Sequence, residues 1–457
     1  MSSKAPLMVS ISGVRGIAGK SLTPVVINKY VAAFATVQRK TRPNGKIIVG
    51  RDSRVSGHWV TSVVIGVLNA MGYDTVEVGI VPTPTVQVMV QHYSAVGGVI
   101  ITSSHNPVEW NGLKFVDADG LFISPEKVAE FIKVADAGEF TYVTPPTTYG
   151  HSESITDAND IHIKKLLALP YIDTTKIAAK KFKVVLDTVN GAGGPIMTKL
   201  LETLGCQVIP LNTDPTGVFA HMPEPIPSHL SQLCDAVKQN SADLGIATDP
   251  DVDRCVFIDE KGVPIGEEYT LAMAVKFFLA HKKGAVCKNL SSSRAVDDIA
   301  KEYGCETFAT PVGEIHVAKK MQEIKAVIGG EGNGGVMLPD LHIGRDAPVA
   351  ATLALQLLSQ GDATLSQLKA SLPQWEIVKL KVPVTSNADE VIESVAKEWR
   401  GNPDAKLSSV DGTRIDTADW WVHLRKSNTE PVVRVIAEAA DAATATKVAQ
   451  QFMDKMK

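Results

Sequence analysis

Short apolar runs alternate with longer segments of helical periodicity in the amino-terminal part of the chain. The spacing predicts a helix over 23–39, with Thr23 as its N-cap and Pro24 at its first position. Three apolar runs predict strands, with a helical segment between each strand and the next, at 46–50, 76–80 and 97–101. Alternation of this kind is typical of βαβ units with a parallel sheet. This part of the chain is therefore predicted to be an α/β domain.

The same pattern recurs twice further along the chain. A strand at 182–186 is followed by a polar turn and a helix, and the next strand, at 244–247, ends in an acidic loop. A shorter repeat of this pattern leads to a strand at 326–328, which is followed by the glycine-rich loop 329–335. Each round delivers a polar loop from the carboxyl end of a strand, which is where open α/β sheets bind ligands. Three related α/β domains are therefore predicted.

The pattern changes beyond Trp375. Apolar alternation there predicts antiparallel strands at 377–382, 410–415, 420–424 and 432–437, with helices at 389–399 and 442–455. The carboxy-terminal region is therefore predicted to be a smaller α+β domain. The four domains are expected to span residues 1–150, 151–260, 261–371 and 372–457.

Length and charge limit the classes of function. A chain of 457 residues is too long for one hydrophobic core and suits roughly three or four domains. The formal net charge of −4 gives no general attraction to nucleic acid or to an anionic membrane, and no apolar run approaches a membrane span. The five cysteines show no metal-type spacing and suit free thiols in a reducing compartment. We therefore expect a cytoplasmic protein with no nucleic acid and no membrane as a partner.

The loop Thr102–Pro107 directly follows the predicted strand at 97–101. Its small polar residues, which Pro107 forces to turn, place the hydroxyl of Ser104 beside the imidazole of His105 at the carboxyl edge of a sheet. A hydroxyl in that position is a candidate nucleophile. A turn built only from turn-forming residues has the same composition, so the loop gains meaning only together with the others.

The second loop contains alternating aspartates, Asp249, Asp251 and Asp253. Their carboxylates repel one another, and a hard divalent cation bound by oxygen offsets that repulsion, which favours magnesium. A calcium loop is a weaker alternative, because Glu260 stands at its twelfth position but Arg254 occupies the sixth, where a sharp turn needs glycine. Two further alternatives are an aspartate that itself accepts a phosphoryl group, as in phosphatases, and a solvated acidic turn.

The two remaining loops suit ligand binding. Glu331 is the single charge among the glycines of 329–335, where it can accept hydrogen bonds from two sugar hydroxyls. The segment 425–431 lies between two predicted strands and is rich in groups that bind phosphate without cleaving it. These groups are Arg425, Ser427, Asn428 and Thr429, with Arg434 on the following strand.

Basic residues on other loops would be needed to balance phosphate charge. The candidates are Arg15, Arg51, Lys114, Arg254 and Arg345. Each of them alone is more often a solvated surface group than a ligand.

The four loops together resemble those of the α-D-phosphohexomutase family. By that resemblance 102–107 is the phosphoserine loop, and the magnesium, sugar and phosphate loops are 249–254, 330–335 and 425–431. The match covers essentially the whole chain. It implies three topologically similar mixed α/β domains and a C-terminal α+β domain of the TATA-binding-protein-like type, arranged around one central cleft. It also implies that Ser104 carries a phosphoryl group in the active enzyme.

The resemblance further implies an intramolecular phosphotransferase that interconverts hexose 6-phosphate and hexose 1-phosphate. Phospho-Ser104 gives its group to the free hydroxyl of the phosphosugar substrate. The other phosphate of the resulting bisphosphorylated sugar then returns to the serine. Hexose bisphosphate is accordingly expected as an activator, and closure of the last domain would keep water away from the phosphoserine.

Individual roles follow from the same resemblance. One Mg²⁺ per active site is expected, with Ser104, Asp249, Asp251 and Asp253 as its ligands. The expected catalytic residues besides Ser104 are His105, Arg254, Arg15 and the proton-transferring Lys114. The expected sugar ligands are Glu331 and Asn333. The expected phosphate ligands are Arg425, Ser427, Asn428, Thr429 and Arg434.

The chain departs from the commoner family patterns in two loops. Asn333 stands where the sugar loop usually has serine, and Gly335 removes an imidazole. In the phosphate loop, Asn428 is frequent in mannose- and glucose-type members, whereas the following Thr-Glu-Pro is frequent in glucosamine-type members. The glycine-rich sugar loop favours glucosamine-type activity, that of a phosphoglucosamine mutase.

Several alternatives stay open at this point. Phosphomannomutase and phosphoglucomutase activity are the alternatives within the family. From other classes, a magnesium-dependent sugar phosphatase and a non-catalytic sugar-phosphate-binding protein remain. Nothing in the sequence decides between a monomer and a homodimer.

Overall fold

The structure, a computed structural model, describes residues 5–144, 149–383, 388–426 and 432–456. The chain divides into two compact units. Unit 1 consists of Met1–Thr270 and Gly334–Leu368, and unit 2 of Leu271–Asn333 and Lys369–Lys457. Among the described residues, no helix has both the length and the apolar character needed to cross a membrane.

The first sheet of unit 1 has seven strands. They are β1 (Leu7–Ser10), β2 (Gly13–Ile17), β3 (Lys46–Arg51), β4 (Asp74–Ile80), β5 (Gly97–Ile101), β6 (Trp110–Asp117) and β7 (Ser152–Ser154). The helices are α1 (Pro24–Arg39), α2 (Gly57–Ala70), α3 (Thr83–His92) and α4 (Pro125–Ala137). The strand order is β1-β2-β6-β5-β3-β4-β7. Neighbouring strands in the part β5-β3-β4-β7 are parallel, and those in the part β1-β2-β6-β5 are antiparallel. Because β5 is buried along its whole length, the loop after it starts from a fixed point.

The second sheet of unit 1 carries the acidic loop. Its strands are β8 (Lys183–Asp187), β9 (Gln207–Leu211), β10 (Leu244–Thr248) and β11 (Cys255–Ile258), in the order β11-β10-β8-β9. The helices of this region are α5 (Ala158–Leu167), α6 (Thr174–Lys180), α7 (Gly193–Thr203) and α8 (Ser231–Gln239), with a 3₁₀ turn at Pro227–His229. Since β10 and β11 pair in antiparallel fashion, the acidic loop closes a hairpin.

The next segment passes through both units. It contains α9 (Glu268–His281), β12 (Val286–Asn289), α10 (Ala295–Glu302), β13 (Thr307–Thr310), α11 (Glu314–Ile324) and β14 (Ile328–Glu331). In unit 2, β12 pairs with β13 and with β14, and both pairs are parallel. The chain continues with β15 (Gly335–Leu338), β16 (His342–Arg345), α12 (Ala347–Leu358) and α13 (Leu365–Ala370). In unit 1, β15 and β16 form an antiparallel pair.

The carboxy-terminal part of unit 2 is an antiparallel sheet with two helices. Its strands are β17 (Glu376–Pro383), β18 (Lys406–Ser408), β19 (Thr413–Asp416), β20 (Trp420–Lys426) and β21 (Val432–Ala439), in the order β17-β21-β20-β19-β18. The helices are α14 (Ala388–Trp399) and α15 (Ala442–Lys455). Val395, Val435 and Phe452 belong to the core that these helices form with the sheet. The predicted fold class, mixed α/β domains followed by an α+β domain, is confirmed.

Capping residues explain why several helices begin where the sequence predicts. The Thr23 hydroxyl accepts a hydrogen bond from the Val26 amide, and α1 begins at Pro24, as predicted. The Asp441 carboxylate accepts one from the Thr444 amide, and α15 runs over the predicted range 442–455.

Two local predictions are wrong. The strand predicted at 326–328 is observed at Ile328–Glu331, so Glu331 ends a strand instead of lying within a loop. A Cβ on Gly329 would lie 2.5 Å from the Cys287 carbonyl oxygen, so glycine serves close strand pairing there and is not the mark of a loop. The segment around Arg15, predicted as a loop, is strand β2, because Gly13 with φ +94 makes a tight hairpin with β1.

A cluster of two histidines and one aspartate is buried in unit 1. Asp346 caps α12 by accepting from the Val349 amide at 3.0 Å, and its Oδ2 lies 2.8 Å from His342 Nε2 and 2.9 Å from His162 Nε2. Burial alone would raise the pKa of Asp346, but the two imidazoles outweigh burial and hold this pKa below its ordinary value. The cluster therefore ties α5 to the segment that carries β16 and α12.

His423 is the corresponding buried histidine of unit 2. Its Nε2 donates to the Asp411 carbonyl oxygen at 2.6 Å, so its Nδ1 accepts from the Ser291 hydroxyl, 2.8 Å away. Burial lowers the pKa of His423 to about 4, because the charged ring would lose its hydration. The neutral ring is thus part of the packing between β20 and the turn before α10.

We expect the protein to lose stability as the pH falls from about 6.5, the ordinary pKa of histidine, towards the lower value of folded His423. As the pH falls, the unfolded chain binds this proton before the folded protein does. The free energy of unfolding is therefore highest above about pH 6.5 and decreases as the pH falls towards about 4. The difference between the ordinary pKa of histidine and the pKa of folded His423 corresponds to roughly 3 kcal/mol in the free energy of unfolding. Thermal unfolding measured across this range should depend less on pH in His423→Asn than in the wild type.

His281→Asn, which removes an exposed histidine of the same unit, provides the control for this experiment. Equal pH slopes for the wild type and His423→Asn would contradict the prediction.

Candidate active site

The acidic loop between β10 and β11 brings three buried carboxylates together. Asp249, Asp251 and Asp253 are each at most 1 % exposed, and one oxygen of each lies within 4.8 Å of the others. The loop holds this shape by itself, because Asp249 Oδ1 accepts from the backbone amides of Asp253 and Arg254 at 3.2 and 3.1 Å. Val252 adopts φ +61 between two of the aspartates, a conformation that β-branched residues rarely take. We call Asp249, Asp251 and Asp253 the acidic trio.

Cationic side chains surround the acidic trio. Lys114 Nζ donates to Asp251 Oδ2 at 2.7 Å and lies 3.4 Å from Asp253 Oδ2. Arg345 Nη2 donates to Asp253 Oδ2 at 2.6 Å. These basic residues come from β6 and β16, far from the acidic trio in sequence. In these contacts Lys114 and Arg345 pair with aspartates, and their predicted role in balancing phosphate charge stays a prediction.

The pKa values of the three aspartates diverge for electrostatic reasons. Burial raises the pKa of Asp249 well above its ordinary value, and repulsion from Asp253 and Asp251 raises it further. Burial acts in the same direction on the other two carboxyls, but Lys114 lowers the pKa of Asp251 and Arg345 that of Asp253, and both end below the ordinary value. The three carboxyls therefore differ in environment, because a cation outweighs burial at Asp251 and at Asp253, whereas burial and repulsion dominate at Asp249.

The acidic trio fits a divalent metal ion. The Oδ1 atoms of Asp251 and Asp253 are buried and have no hydrogen-bond partner among the described residues, which is costly unless another ligand binds there. All the donors are carboxylate oxygens, the ligands preferred by hard cations. The calcium-loop alternative does not hold, since Glu260 binds Thr364 and Ser366 and strands flank the loop.

The structure brings Ser104 to the acidic trio. Ser104 follows β5 and is 2 % exposed, and its Oγ lies 3.4 Å from Asp249 Oδ2 and 3.3 Å from His105 Nδ1. Its φ of +50 falls in the left-handed region that a residue with a side chain seldom adopts. Burial and the guanidinium groups of Arg254 and Arg15 lower the pKa of His105 well below its ordinary value, so its ring is neutral.

The two predicted arginines also lie at this site. Arg15 Nη1 donates to Asn106 Oδ1 at 3.0 Å, and its buried Nε has no hydrogen-bond partner in the part of the chain that the structure describes. Arg254 Nε lies 3.9 Å from oxygens of both Asp249 and Asp253. Five predicted catalytic residues, Ser104, His105, Lys114, Arg15 and Arg254, are thus gathered with the acidic trio inside unit 1.

Some residues at this site were missed by sequence reasoning. Thr83, at the start of α3, donates its hydroxyl to Asp251 Oδ2 at 2.8 Å. Glu224 Oε1 lies 3.5 Å from Arg254 Nη1 and 3.9 Å from His105 Nε2. Glu224 belongs to an irregular proline-containing segment with no periodic signal. Thr83 follows Pro82 at the carboxyl end of β4, and that position was the only signal available for it.

The residues predicted to bind the sugar lie in unit 2. Glu331 is 3 % exposed, and its Oε1 accepts from Asn289 Nδ2 at 2.7 Å and from the Gly313 amide at 3.0 Å. Asn333 Nδ2 lies 3.5 Å from Glu331 Oε2. The amide of Gly332, between them, donates to Ser292 Oγ at 3.0 Å. Bonds to two other loops therefore fix the Glu331 carboxylate before any ligand binds.

The predicted phosphate ligands Arg425 and Arg434 are cross-strand neighbours in unit 2. The other predicted phosphate ligands, Ser427, Asn428 and Thr429, lie outside the described residues. Arg425 on β20 is directly opposite Arg434 on β21, which is directly opposite Lys381 on β17. Residues directly opposite one another share one face of an antiparallel sheet, and like charges in such pairs are destabilising. We call Arg425, Arg434 and Lys381 the cation row. An anion bound over it would offset the repulsion.

Asp411 connects the cation row with the sugar-binding residues. Its Oδ2 accepts from Arg425 Nε at 3.2 Å and from the Val312 amide at 2.9 Å. The next residue, Gly313, donates its amide to Glu331. The neighbouring amides of Val312 and Gly313 thus donate to the carboxylates of Asp411 and Glu331. Because Asp411 also binds Arg425, the orientations of Arg425 and Glu331 depend on the same turn.

The chain matches family models along nearly its whole length. Phosphoglucomutase/phosphomannomutase alpha/beta/alpha domains I, II and III match residues 8–141, 160–262 and 266–375, and the C-terminal domain of that family matches residues 380–455.

Individual proteins are similar over the same extent. A phosphoglucomutase/phosphomannomutase of Thermococcus kodakarensis is 35% identical over 437 residues, covering 93% of this chain and 93% of that protein. A probable phosphoglucosamine mutase of Methanopyrus kandleri is 35% identical over 448 residues, covering 97% and 96%. The crystal structure of a phosphoglucomutase/phosphomannomutase family protein from Burkholderia thailandensis superimposes with a TM-score of 0.85 at 26% identity, covering 98% of each chain. The chain belongs to the phosphoglucomutase/phosphomannomutase family.

Proposed function

We propose that the protein is a phosphohexomutase that interconverts hexose 6-phosphate and hexose 1-phosphate, with glucosamine phosphate as its preferred substrate. The observation that carries the proposal is the buried Ser104 hydroxyl, 3.4 Å from Asp249 and surrounded by the acidic trio and its cations. A nucleophile in such a setting suits reversible phosphoryl transfer, in which positioning and charge stabilisation do most of the catalysis.

The reaction begins with a phosphoryl group on Ser104. The free hydroxyl of the sugar monophosphate attacks this phosphorus, the bond from phosphorus to Ser104 Oγ breaks, and a sugar bisphosphate forms. The bisphosphate then turns over in the site, and Ser104 Oγ attacks its other phosphate and regains a phosphoryl group. No phosphate is consumed, and the sugar leaves with its phosphate at the other position.

Charge on the travelling phosphoryl group requires cations. Arg15 and Arg254 lie beside Ser104 and are suited to contact the phosphoryl oxygens. Mg²⁺ held by Asp249, Asp251, Asp253 and the serine-bound group would supply further charge neutralisation when bound.

Lys114 is the proposed proton carrier. When the sugar hydroxyl attacks, its proton must leave, and Lys114 Nζ is the buried amine 2.7 Å from Asp251 in this site. The neighbouring aspartates Asp251 and Asp253 raise the pKa of Lys114 although burial acts against them. A cation on the acidic trio would weaken that effect by neutralising the aspartates.

Recognition of the substrate falls to residues of unit 2. The cation row, with the predicted loop ligands Ser427, Asn428 and Thr429, suits the phosphate that is not being transferred. The fixed Glu331 carboxylate suits two sugar hydroxyls, and Asn333 lies beside it. Because the bisphosphate turns over, this phosphate site must accept a phosphate from either end of the sugar.

The preference for glucosamine rests on the glycine-rich sugar loop and on the Methanopyrus kandleri relative. That relative is named a probable phosphoglucosamine mutase, whereas the Thermococcus kodakarensis relative is named a phosphoglucomutase/phosphomannomutase. Activity on glucose or mannose phosphates is therefore the alternative within the same mechanism.

The sugar preference is tested by a side-by-side rate comparison after activation with glucose 1,6-bisphosphate. We expect kcat/KM to be highest with glucosamine 6-phosphate and lower with glucose 6-phosphate and mannose 6-phosphate, because the chain has the glycine-rich form of the sugar loop. A higher kcat/KM with glucose or mannose phosphate would transfer the preference to that sugar. Steady release of inorganic phosphate without isomerisation would identify a phosphatase instead.

Replacing Ser104 tests the mechanism itself. Ser104→Ala should abolish interconversion, because no atom remains to carry the phosphoryl group, while the fold is kept. The neighbouring Ser103 is buried, and its hydroxyl donates to Asn106 Oδ1 at 3.2 Å, so Ser103→Ala is the matched control and should stay active. Intact mass after incubation with glucose 1,6-bisphosphate should show one added phosphoryl group in Ser103→Ala and none in Ser104→Ala. Undiminished turnover by Ser104→Ala would refute the proposal.

Metal removal tests the role of the acidic trio. Dialysis against a chelator should abolish activity, and Mg²⁺ should restore it better than the larger Ca²⁺, because small octahedral sites favour Mg²⁺. Asp251→Asn should raise the Mg²⁺ concentration needed for half-maximal activity. Asp259→Asn, a change at a buried aspartate outside the acidic trio, should leave this concentration unchanged. Full activity in the presence of chelator would exclude the metal site.

A further inference from the structure

The turn Asp52–Ser53–Arg54 follows β3 and touches neither sugar nor phosphate in the proposed mechanism. The side chains of Asp52 and Arg54 are both fully buried, with Arg54 Nε 3.0 Å from Asp52 Oδ2. A buried ion pair is costly to desolvate and often adds no net stability. Its position behind the Ser104 loop therefore indicates a role other than stabilising the core.

The guanidinium of Arg54 uses all five of its N–H donors. One bonds Asp52, and the other four bond backbone carbonyl oxygens between Ser104 and the start of β6, those of Ser104 (2.6 Å), Asn106 (2.7 Å), Pro107 (2.6 Å) and Trp110 (3.0 Å). Only a planar fork of donors can span four carbonyls in this way, whereas lysine offers a single nitrogen. Arg54 therefore fixes the path of the backbone on the carboxyl side of Ser104.

Asp52 fixes the other side of the same loop. Its Oδ2 accepts from Thr102 Oγ1 at 2.6 Å, and Thr102 Oγ1 accepts from the Ser104 amide at 2.9 Å. Ser104 is thus bonded at both its N–H and its C=O. These bonds explain how Ser104 stays in its unfavourable left-handed conformation.

Ser53 connects the turn to the acidic loop. Its hydroxyl donates to the Asn190 carbonyl oxygen at 2.8 Å. Two residues later, the Ala192 amide donates to the Pro250 carbonyl oxygen at 2.8 Å, and a Cβ on Gly191 would lie only 2.6 Å from Pro250 Cα. Pro250 stands between the first two aspartates of the acidic trio. The same short turn therefore reaches both partners of the Ser104–Asp249 contact.

We propose that Asp52, Ser53 and Arg54 form a positioning element that sets the Ser104 hydroxyl against the acidic trio. The inference rests on the proposed phosphoryl transfer, since the element has no chemistry of its own. In-line transfer requires the serine oxygen, the phosphorus and the sugar hydroxyl to be aligned, and a displacement of the serine lowers the rate without affecting substrate binding elsewhere.

Arg54→Lys tests the element while keeping the positive charge. We expect kcat for hexose phosphate interconversion to fall on the order of 100-fold, with KM little changed, because only the alignment at Ser104 is lost. The rate at which glucose 1,6-bisphosphate phosphorylates Ser104, followed by intact mass, should fall with kcat. Ser53→Ala removes a single hydrogen bond and should lower both rates in the same direction but less strongly.

Arg39→Lys is the matched control, because Arg39 also donates to a backbone carbonyl of unit 1, that of Thr141, but far from Ser104 along the chain. It should keep the wild-type kcat. A folded Arg54→Lys with the kcat of Arg39→Lys would overturn the inference, and if Arg54→Lys does not fold, an unchanged kcat in Ser53→Ala would do so. Absence of interconversion in the wild type would instead refute the proposed function, so the two failures are distinguishable.

Discussion

Three buried carboxylates within 4.8 Å of one another impose the constraint on which the rest of unit 1 depends. Unpaired charges of one sign cannot stay in a low-dielectric interior, so cations must approach from other parts of the chain. Lys114 arrives on β6 and Arg345 on β16, and each contacts an aspartate at hydrogen-bonding distance. These contacts hold distant segments of the chain in one arrangement. Within the described part of the chain, two oxygens of the acidic trio have no hydrogen-bond partner, which suits the binding of a metal ion.

Unit 2 shows the same constraint with the sign reversed. Arg425, Arg434 and Lys381 stand in one row across three strands, and Asp411 pairs with Arg425. In unit 1 the carboxylate oxygens of the acidic trio suit a metal ion, whereas in unit 2 the cation row suits a phosphate. Each unit therefore presents charged groups of the kind that its proposed ligand would complement.

The sequence allowed the main elements and most of the site to be predicted, because both follow from local rules. Buried strands such as β5 are continuous apolar runs, helices such as α15 begin at capping residues, and polar loops at strand ends mark the ligand edge. Arg54 was missed because its partners are backbone carbonyls, which leave no pattern in the sequence. Glu331 was misplaced because glycines that permit close strand pairing resemble the glycines of a flexible loop.

The proposed catalytic residues and the proposed sugar-recognition residues belong to different units, and this explains why the reaction is easier to infer than the substrate. Ser104, the acidic trio, Lys114 and the arginines around them all belong to unit 1, and their arrangement is set by buried charges that tolerate little change. The residues proposed to recognise the sugar belong to unit 2, where Glu331 is held by an asparagine side chain and a backbone amide. A different residue beside Glu331, such as Asn333, can alter which sugar fits without disturbing phosphoryl transfer. The identity of the sugar therefore depends on few residues. Those residues are the ones in which this chain departs from the common family pattern.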